Sequence, residues 1–434
     1  MEQEADVVVI GAGISGCAAA YNLARRGQRV VVLEKDDVAF EASGRTFAAV
    51  GLLGKHHPDE FRLAEASLEL WNGLGDELDS DIELIKGGRL AIAESEKDIP
   101  LFQQMVEGAE ESGVIIEWLE PQQARRRYPF LEGSFKMAAM SPEDCHVNPE
   151  KAVQAFARAA REYGARFYTG CLVRDIGVSN GEVTSVLTTQ GEIKADAVVN
   201  AAGVWASRLL DRLGVHIPIK LIRLPQGETE PLPRFFDSFI RGPTYGARQT
   251  AAGTLRVTGG YRRLEVFHEL SLHDLPDITV WLPRLIQQRK NVTLEINLQT
   301  LKRDFKELID SLVQGRASEV APVGLEPKES PRNPQRKLAR LTRLIPRLKG
   351  VTLTRSWAGY VDLTPDLLPV IGQLEKPKGL YVASGFSGHG FVLGPIVGKI
   401  LSELVLDGGT SLPLHTFRPT RFAERKVSMP ERLM

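Results

Sequence analysis

The N-terminal stretch DVVVIGAGISGCAAAYNLARRGQRVVVLEK, residues 6–35, contains a complete strand, turn, helix and second strand. Residues 6–10 are dominated by β-branched side chains, as expected of a buried parallel strand. The glycine-rich turn GAGISG, residues 11–16, follows at once, and a run of good helix formers ends at Gly27, a typical residue beyond a helix end. A second short strand ends at Glu34. The sequence therefore predicts a βαβ unit that binds a dinucleotide.

The three glycines and the acid of this unit each have a physical role in holding a dinucleotide. Gly11 permits the tight turn, Gly13 lets backbone N–H groups approach a pyrophosphate, and Gly16 lets the helix pack closely on the strand. The helix N-terminus favours the anion. Glu34 is placed to accept hydrogen bonds from a ribose diol, which disfavours a 2′-phosphate. The turn by itself does not distinguish FAD from NAD.

Length and composition indicate a soluble globular protein. The 434 residues exceed one ordinary domain, and 43% hydrophobic with 25% charged residues is enough for a large core. The net charge of −1 gives no reason to expect nucleic acid as a partner. We expect two closely joined domains.

Cysteine usage and the N-terminus suggest a cytoplasmic protein. Cys17, Cys145 and Cys171 are widely spaced and form no CxxC motif, so we expect neither a metal site nor a disulfide framework. The N-terminal residues are acidic where a secretory signal would be basic, and no apolar run is long enough for a spanning helix. Peripheral contact with the inner face of a membrane stays open.

Further glycine-rich segments follow the first motif. Residues 198–210 (VVNAAGVWASRLL) and 379–405 (GLYVASGFSGHGFVLGPIVGKILSELV) each predict a strand, a glycine turn and a helix, which aim backbone N–H groups at an anionic or electron-rich group. Residues 36–54 contain the small polar loop EASGRT. Residues 357–372 (WAGYVDLTPDLLPVIG) combine Gly, Pro and Asp in a pattern that predicts an irregular loop.

Taken in chain order, the motifs GAGISG, EASGRT, NAAGVWA, WAGYVDLTPDLLPVIG and ASGFSGHGFVLGP resemble those of the FAD-dependent amino acid and amine oxidoreductases. This is the D-amino acid oxidase, sarcosine oxidase and glycine oxidase group, with opine and cyanide-forming glycine dehydrogenase subunits among its relatives. The resemblance implies an α/β fold, with a Rossmann-like FAD-binding domain of the glutathione-reductase and D-amino acid oxidase type. An antiparallel-sheet substrate domain of α+β type is inserted into it.

The same resemblance implies a discontinuous division into domains. The FAD-binding domain would comprise residues 1–83, 145–225 and 350–434, and the substrate domain residues 84–144 and 226–349. A helical and Pro-rich excursion is expected near residues 280–338, as a solvated element or as a docking element for a partner or a membrane.

The cofactor implied is FAD, held non-covalently because the C-terminal loops have no Cys and residues 40–50 have no His. Asp366 is expected to brace its loop through backbone hydrogen bonds. The expected cofactor-binding residues are Gly11, Ala12, Gly13, Ile14, Ser15, Gly16, Glu34, Lys35, Ser43, Gly44, Arg45, Thr46, Val173, Ala201, Ala202, Gly203, Trp205, Gly359, Asp366, Gly385, Ser387, Gly388, His389, Gly390 and Phe391.

The sequence departs from its relatives where they hold a substrate carboxylate. Glycine-oxidase-like members have an Arg two positions after WAG, and sarcosine-oxidase-like members have a Lys after GHGF; this chain has Val361 and Val392 there. A buried carboxylate needs a cation nearby. Either another element supplies it, or the substrate is not a simple α-amino acid. The candidate cations are Arg45, Arg248, Arg256 and Arg263.

Two residues are candidates for a catalytic role. Arg256 falls near the strand on which relatives carry an oxygen-activating Lys, although a surface arginine would have the same pattern. His389 lies in the GFSGHG turn, where packing at the flavin edge is the alternative to a role as a base. Arg248, Tyr360 and Arg263 are candidates for substrate contacts.

The resemblance implies an enzyme that transfers a hydride from the CH–NH group of an amino acid, secondary amine or opine-like substrate to the flavin, giving an imine that hydrolyses. Two alternatives stay open: an FAD-dependent 2-hydroxy acid dehydrogenase, or a flavin-binding subunit of a larger dehydrogenase complex. The electron acceptor is oxygen, a quinone or a protein carrier, and partner subunits or a homo-oligomer are both compatible with the sequence.

Overall fold

The computed structural model describes residues 2–55, 57–262, 265–287, 292–298, 300–302, 304–306, 309 and 320–424. Arg263, one of the candidate substrate cations, lies outside these residues. The strands are β1 (Glu4–Ile10), β2 (Val30–Leu33), β3 (Ala49–Val50), β4 (Arg89–Ala93), β5 (Glu117–Leu119), β6 (Met137–Ser141), β7 (Cys145–His146), β8 (Arg166–Tyr168), β9 (Val173–Ser179), β10 (Glu182–Thr188), β11 (Gly191–Asn200), β12 (Lys220–Pro231), β13 (Phe239–Arg241), β14 (Gly246–Gln249), β15 (Thr254–Thr258), β16 (Val266–Glu269), β17 (Val292–Glu295), β18 (Leu353–Leu363), β19 (Val370–Gln373) and β20 (Leu380–Ser384).

Helices connect these strands and cover their faces. The α-helices are α1 (Ile14–Arg25), α2 (Ala42–Arg45), α3 (Pro58–Glu77), α4 (Ile99–Glu111), α5 (Pro121–Arg127), α6 (Pro149–Glu162), α7 (Ala206–Asp211), α8 (Ile278–Gln287), α9 (Arg332–Leu344) and α10 (Gly390–Asp407). Short 3-10 helices span Gly203–Trp205, Leu272–Asp277, Pro346–Leu348, His415–Phe417 and Pro419–Phe422.

The first sheet has the strand order β19-β20-β11-β1-β2-β8 and is parallel from β20 to β8, with β9 and β10 added as an antiparallel pair beside β11. Val7 and Val9 of β1 face one hydrophobic core with α1, α6 and α10, whereas Val8 and Ile10 face a second core. Burial on both faces explains why β1 is an unbroken apolar run rather than an alternating one.

Helix α1 lies very close to α10 because α10 has glycines at the contact. A Cβ on Gly394 would overlap the side chain of Ile14, and a Cβ on Gly398 would overlap Ala18. The N-terminus of α1 is thereby held beside the N-terminus of α10, which is where two of the predicted flavin motifs begin.

The second sheet has the order β17-β16-β12-β15-β14-β13-β4-β6-β5, with β18 paired antiparallel to β12. Leu255 and Val257 of β15 pack on Leu338 and Leu341 of α9, on the face turned away from the first sheet. The opposite face, which carries Thr258, forms the wall of a cavity. The α/β fold with a parallel dinucleotide-binding sheet and a mainly antiparallel second sheet confirms the predicted fold class.

Three local predictions were wrong, one of them only in part. Residues 357–363 continue strand β18 rather than an irregular loop, because their backbone pairs with β12. Residues 280–314, which we expected to be helical, are helical only in part: α8 spans Ile278–Gln287, Val292–Glu295 forms β17 because it pairs in parallel with β16, and the described residues between 298 and 309 are helical again. Residues 332–338 belong to the Pro-rich part of the excursion, for which the sequence suggests an exposed loop, yet they begin α9, whose apolar side chains enter the core under the second sheet.

The domain division stays a prediction, and the pairing of β18 bears on it. This strand lies within residues 350–434, which we assigned to the FAD-binding domain, yet its partner β12 belongs to the second sheet.

Candidate active site

A cavity of about 830 Å³ lies between the carboxyl ends of the first sheet's parallel strands and one face of the second sheet. Its walls include Ile10 at the end of β1, Leu33 at the end of β2 and Ala201 just beyond β11. The carboxyl edge of a parallel sheet is where α/β folds bind their ligands. The cavity continues past α10 to β4 and β13 of the second sheet.

The predicted cofactor residues fall into two groups by position. Most line the cavity: Gly11, Ala12, Gly13, Ile14, Ser15, Glu34, Lys35, Ser43, Arg45, Thr46, Val173, Ala201, Ala202, Gly203, Trp205, Gly359, Gly388, His389, Gly390 and Phe391. The others lie behind these and support them: Gly16, Gly44, Asp366, Gly385 and Ser387.

The turn after β1 is built to bring backbone N–H groups to the cavity surface. Gly11 has φ +101°, and a Cβ there would lie 2.5 Å from the carbonyl oxygen of Ala201. A Cβ on Gly16 would overlap the carbonyl oxygen of Gly11. The hydroxyl of Ser43 accepts a hydrogen bond from the N–H of Ile14 at 3.0 Å and so joins the polar loop to the turn. These close approaches require glycine, so the turn fits a pyrophosphate.

Glu34 lies at the nucleotide end of the cavity with both oxygens engaged by backbone. Its Oε2 accepts from the N–H of Ala12 at 2.8 Å, and its Oε1 accepts from the N–H of Asp36 at 2.9 Å. Burial raises the pKa of this carboxyl above its ordinary value, and the two backbone donors oppose that rise. A carboxylate has further lone pairs, which can accept from ribose hydroxyls.

A second acid next to Glu34 has an unused acceptor. Glu41 accepts from Lys35 Nζ at 2.8 Å and from Trp205 Nε1 at 3.2 Å, both on Oε1. Its Oε2 is buried, and no described residue donates to it. A buried acceptor of this kind costs free energy unless a ligand donor reaches it. Together with the Gly11 turn, it shows that the residues present fit FAD.

The loop carrying Arg45 is clamped between the two sheets. Its carbonyl oxygen accepts hydrogen bonds from Gln226 Nε2 at 2.7 Å and from Trp357 Nε1 at 3.0 Å. A Cβ on Gly359 would lie 3.3 Å from the Cβ of Arg45, so β18 and the loop approach closely there. Tyr360 also lines the cavity, with its ring edge against Trp205.

Asp362, which sequence reasoning missed, ties β18 to the GFSGHG turn. Its Oδ2 accepts from the N–H of Gly385 at 2.6 Å, and its carbonyl accepts from the N–H of Ser387 at 2.9 Å. Burial raises the pKa of Asp362 to about 6. In the sequence, Asp362 directly follows the largely apolar residues 357–361, but nothing in the sequence identifies its hydrogen-bond partner.

Asp366 braces its turn from behind the cavity. Its Oδ1 accepts from the N–H of Leu368 at 3.2 Å, the kind of backbone bond that we expected. Its Oδ2 also pairs with Arg421 Nε at 2.8 Å, and both side chains are buried. A contact with the cofactor itself stays a prediction.

His389 lines the cavity at the N-terminus of α10 and contacts a buried acid. Its Nδ1 lies 2.5 Å from Oε1 of Glu60, which has no exposed surface. Burial is the largest effect on the pKa of His389 and lowers it, and the charge of nearby Lys55 lowers it further. The ring is therefore neutral near pH 7, with Nδ1–H donating to Glu60 and Nε2 left as an acceptor.

Three cations that were not predicted line the far end of the cavity. Lys55 follows β3, Arg89 begins β4, and Arg241 ends β13. In the parallel pairing of β4 with β13, Phe239 lies opposite Arg89 and Arg241 opposite Ala91, so the two arginines share a face. The strands are about 150 residues apart in sequence, and no motif links them.

The predicted arginines have other partners. Arg45 lines the cavity but pairs with Glu326 at 2.7 Å. Arg248 lies behind the wall, where its Nε donates to the carbonyl oxygen of Phe47 at 2.5 Å. Arg256 has the predicted strand alternation, yet it pairs with Glu228 at 3.3 Å and lies over the ring of Trp357. The structure gives neither Arg248 nor Arg256 a place on the cavity wall.

The carboxyl-edge cavity, the nucleotide turn and the second sheet together define a flavin-dependent oxidoreductase fold. The family DAO, described as FAD dependent oxidoreductase, matches residues 6–404. The chain belongs to this family. Its cofactor is FAD, and the non-covalent attachment stays a prediction.

Several curated proteins are similar to the chain. Glycine oxidase of Bacillus subtilis (strain 168) is 26% identical over 438 residues, which cover 97% of this chain and 98% of that protein. Mitochondrial dimethylglycine dehydrogenase of Mus musculus is 24% identical over 432 residues, or 98% of this chain. The chain spans 45% of the length of that dehydrogenase, about half of it.

Solved structures agree on the fold. L-amino acid deaminase from Proteus vulgaris superposes with a TM-score of 0.86 at 23% identity, covering 97% of this chain and 98% of that one. L-proline dehydrogenase from P. horikoshii gives 0.78 at 26% identity, covering 99% and 100%.

Within the described part of the chain, no helix is long and apolar enough to cross a membrane. Among those residues, no cluster of three or more His, Cys, Asp or Glu could hold a metal ion.

Proposed function

We propose that the chain oxidises the CH–NH group of an amino acid, secondary amine or opine-like compound to an imine, which water then hydrolyses. When bound, FAD supplies the two-electron chemistry by accepting the hydride from carbon. One observation supports this assignment most strongly: a single cavity joins the dinucleotide turn to a buried, neutral imidazole held by a carboxylate.

His389 and Glu60 would handle the proton of the substrate amine. An ammonium group does not give up a hydride from its carbon readily, so the amine must be neutral. With Nδ1–H donating to Glu60, His389 presents Nε2 as the acceptor for a proton from the substrate nitrogen. The lowered pKa of His389 keeps that nitrogen free to accept near neutral pH.

The backbone around His389 would hold the reacting groups in place. Gly388 and Gly390 line the cavity at the N-terminus of α10, where free N–H groups favour an electron-rich partner. Phe391 and Val361 are apolar parts of the same wall and exclude water from it. The cofactor roles of the lining residues, and contact of Tyr360 with substrate, belong to this proposal.

The test is anaerobic. The FAD-loaded protein is mixed with D-amino acids, N-alkyl glycines, opines, simple amines and 2-hydroxy acids, and the visible flavin absorbance is followed. Bleaching by an amine class supports the proposal, and readmitting air then separates an oxidase from a dehydrogenase. Bleaching by 2-hydroxy acids alone would replace it with the hydroxy-acid alternative. If dithionite bleaches the flavin but no panel member does, the chain is a flavin subunit that needs partners.

The electron acceptor is oxygen, a quinone or a protein carrier, and Arg256 bears on the choice. Because Glu228 and Trp357 hold Arg256 away from the cavity wall, we propose that it acts on flavin reoxidation only through the field of its charge. Arg256→Met should then change the rate of reoxidation by oxygen more than the rate of flavin reduction. Equal rates in the variant and the parent would remove this role.

We also propose peripheral contact of the excursion with an anionic lipid surface. Ile278, Leu282 and Ile286 are exposed at every fourth position of α8 and so share one face. The sequence Gln288–Asn291 that follows contains two basic residues, which suit anionic headgroups. Sedimentation with phosphatidylserine vesicles should fall when the three apolar residues are changed to Ser. Equal sedimentation of both proteins would remove the proposal.

A further inference from the structure

We propose that Arg241 and Lys55 form the binding site for a carboxylate on the substrate, with Arg89 as the residue that positions them. This inference rests on the proposed amine oxidation and specifies its substrate class: an amine that also carries a carboxylate. The carboxylate lies toward the second sheet, and the reacting amine lies toward α10.

Arg241 has no anionic partner among the residues that the structure describes. Within the part of the chain that the structure describes, its guanidinium makes no hydrogen bond or ion pair, and its Nε is buried without an acceptor. Burial lowers the pKa of Arg241 to about 9, and the like charge of Arg89 adds to this effect. An unpaired charge is costly where burial limits its contact with water, and a ligand carboxylate would reduce that cost.

Lys55 is the second cation of the same wall, and no described residue forms an ion pair with it. It is buried, and burial lowers the pKa of its ammonium group. The nearby charges of Glu60 and Asp144 oppose that lowering, and Oδ2 of Asp144 is buried with no described donor. Glu60 contacts His389, and Oδ1 of Asp144 accepts from the N–H of Leu52 and from Ser141 Oγ, both at 3.0 Å. No described acid lies within ion-pair distance of Lys55.

Arg89 connects these two cations. Its Nη1 donates to the carbonyl oxygen of Leu53 at 2.5 Å, two residues before Lys55. It shares the sheet face of Arg241 and lies over the ring of Phe239 with its guanidinium carbon 5.7 Å from the ring centroid. Arg89 therefore holds the segment with Lys55 against the strands that carry Arg241.

The remaining lining of this end suits an apolar substrate body. Leu53, Met105, Phe239 and Tyr261 surround the cations. The hydroxyl of Thr258 is buried with no described partner and is a further donor for a carboxylate oxygen. Such a pocket pairs one anionic group with an aliphatic or aromatic chain.

The location of these cations also explains how the chain can have Val361 and Val392 where its relatives have an Arg or a Lys. Both residues line the cavity and are apolar, so neither can hold a carboxylate there. The cations lie instead on β13 and on the segment after β3. The substrate anion is thus bound by the second sheet rather than by the flavin loops.

Binding without turnover tests the inference directly. Phenylacetate and its neutral analogue phenylacetamide are titrated calorimetrically into FAD-loaded parent protein, Arg241→Met and Lys55→Met. The parent should bind the acid more tightly than the amide. Each variant should lose about 10- to 150-fold in affinity for the acid, as expected for a charge-assisted hydrogen bond, and less than threefold for the amide. Arg336→Met, which removes an exposed arginine of α9, is the matched control and should leave both affinities unchanged.

The flavin spectrum and the melting temperature show whether each variant is folded, and the second variant serves if the first is not. Equal affinity of the parent for acid and amide, or a variant that loses both alike, would overturn the inference.

Turnover separates this inference from the proposed function. An amino acid and its decarboxylated amine are compared in the anaerobic assay. If amines bleach the flavin and Arg241→Met raises the KM only for the acid, both proposals stand. If amines bleach the flavin with no preference for the acid, the carboxylate site is wrong and the amine oxidation stands. If no amine reacts while the acid still binds selectively, the proposed function is wrong.

Discussion

Nδ1 of His389 lies 2.5 Å from Oε1 of Glu60, an acid with no exposed surface, and this pair joins the N-terminus of α10 to the first turn of α3. The carboxylate fixes which ring nitrogen carries the proton. An imidazole held in one tautomer beside the N-terminus of a helix is suited to accepting a proton in a water-poor site.

Replacement of His389 by Asn should slow flavin reduction by the best amine about 10²- to 10⁴-fold, the usual contribution of a positioned base. Since burial lowers the pKa of His389, reduction by the parent should fall only as the pH drops below the ordinary histidine range. Stopped-flow measurement of the flavin reduction rate over a range of pH should show this fall at low pH, the acid limb of the profile, in the parent. The limb should be absent in the variant.

Glu60→Gln provides the control for that limb. The charge of Glu60 raises the pKa of His389 against the effect of burial, so its loss should move the limb to lower pH. An unchanged limb in both variants would assign it to the substrate and remove His389 from the chemistry.

His146 predicts a pH dependence of stability that is separate from catalysis. Its Nε2 lies 2.9 Å from the carbonyl of Asp237 and its Nδ1 lies 3.2 Å from Arg248 Nη1, so the ring donates to the first and accepts from the second. Burial, with the charge of Arg248, lowers the pKa of His146 to about 3.

Because the unfolded chain takes up the proton first, the free energy of unfolding should fall as pH drops from about 6.5 toward 3. The expected slope is at most about 1.4 kcal/mol per pH unit. Urea unfolding at pH 7 and pH 4.5 would measure it. His146→Gln, which cannot titrate, should lose about 2–3 kcal/mol less over this interval, and equal losses would contradict the prediction.

The turn at Gly11 predicts a steric requirement for cofactor retention. Gly11→Ala places a Cβ 2.5 Å from the carbonyl oxygen of Ala201 at a positive φ, so the turn has to open. We expect the purified variant to retain less than a tenth of the FAD of the parent, measured as the ratio of visible to protein absorbance. Gly73→Ala, in the interior of α3 with open space around it, should keep its FAD and gain a little stability. Equal FAD content in the Gly11 variant would contradict the geometry.

The buried ion pair of Asp366 and Arg421 should stabilise the turn between β18 and β19 strongly against unfolding. Arg421→Met leaves a buried carboxylate without its partner, which typically costs about 3–5 kcal/mol. Denaturant unfolding would show the loss. Arg26→Met breaks the exposed pair with Asp407 and is the matched control, with little measurable effect expected. Similar effects of the two substitutions would show that burial does not decide the outcome.

The sequence was sufficient for the nucleotide end of the cavity and insufficient for the substrate end. Glycine positions such as Gly11 and Gly16 follow from local backbone geometry, so a short motif predicts them. Arg89 and Arg241 become neighbours only through the pairing of β4 with β13, and that pairing is a long-range contact. Arg248, a candidate cation from the sequence, is instead packed against Phe47 and His146.

The prediction of secondary structure failed where pairing with a distant strand overrode the local preference of the residues. Residues 357–363 contain Gly and Asp, which disfavour strands, yet pairing with β12 extends over their whole length. Asp362 is tolerated there because the N–H of Gly385 meets its carboxylate.

Strand β18 connects the second sheet to the turn before α10, and this limits which substitutions can alter the substrate preference of the enzyme. The strand pairs with β12 of the second sheet along its length, and Asp362 near its C-terminal end fixes the turn from which α10 begins. A shift of one residue in its pairing with β12 would displace Gly359 from the Arg45 loop and Asp362 from Gly385 at the same time. New substrate preferences should therefore arise by exchanging side chains on β4 and β13, while the register of β18 is inherited intact.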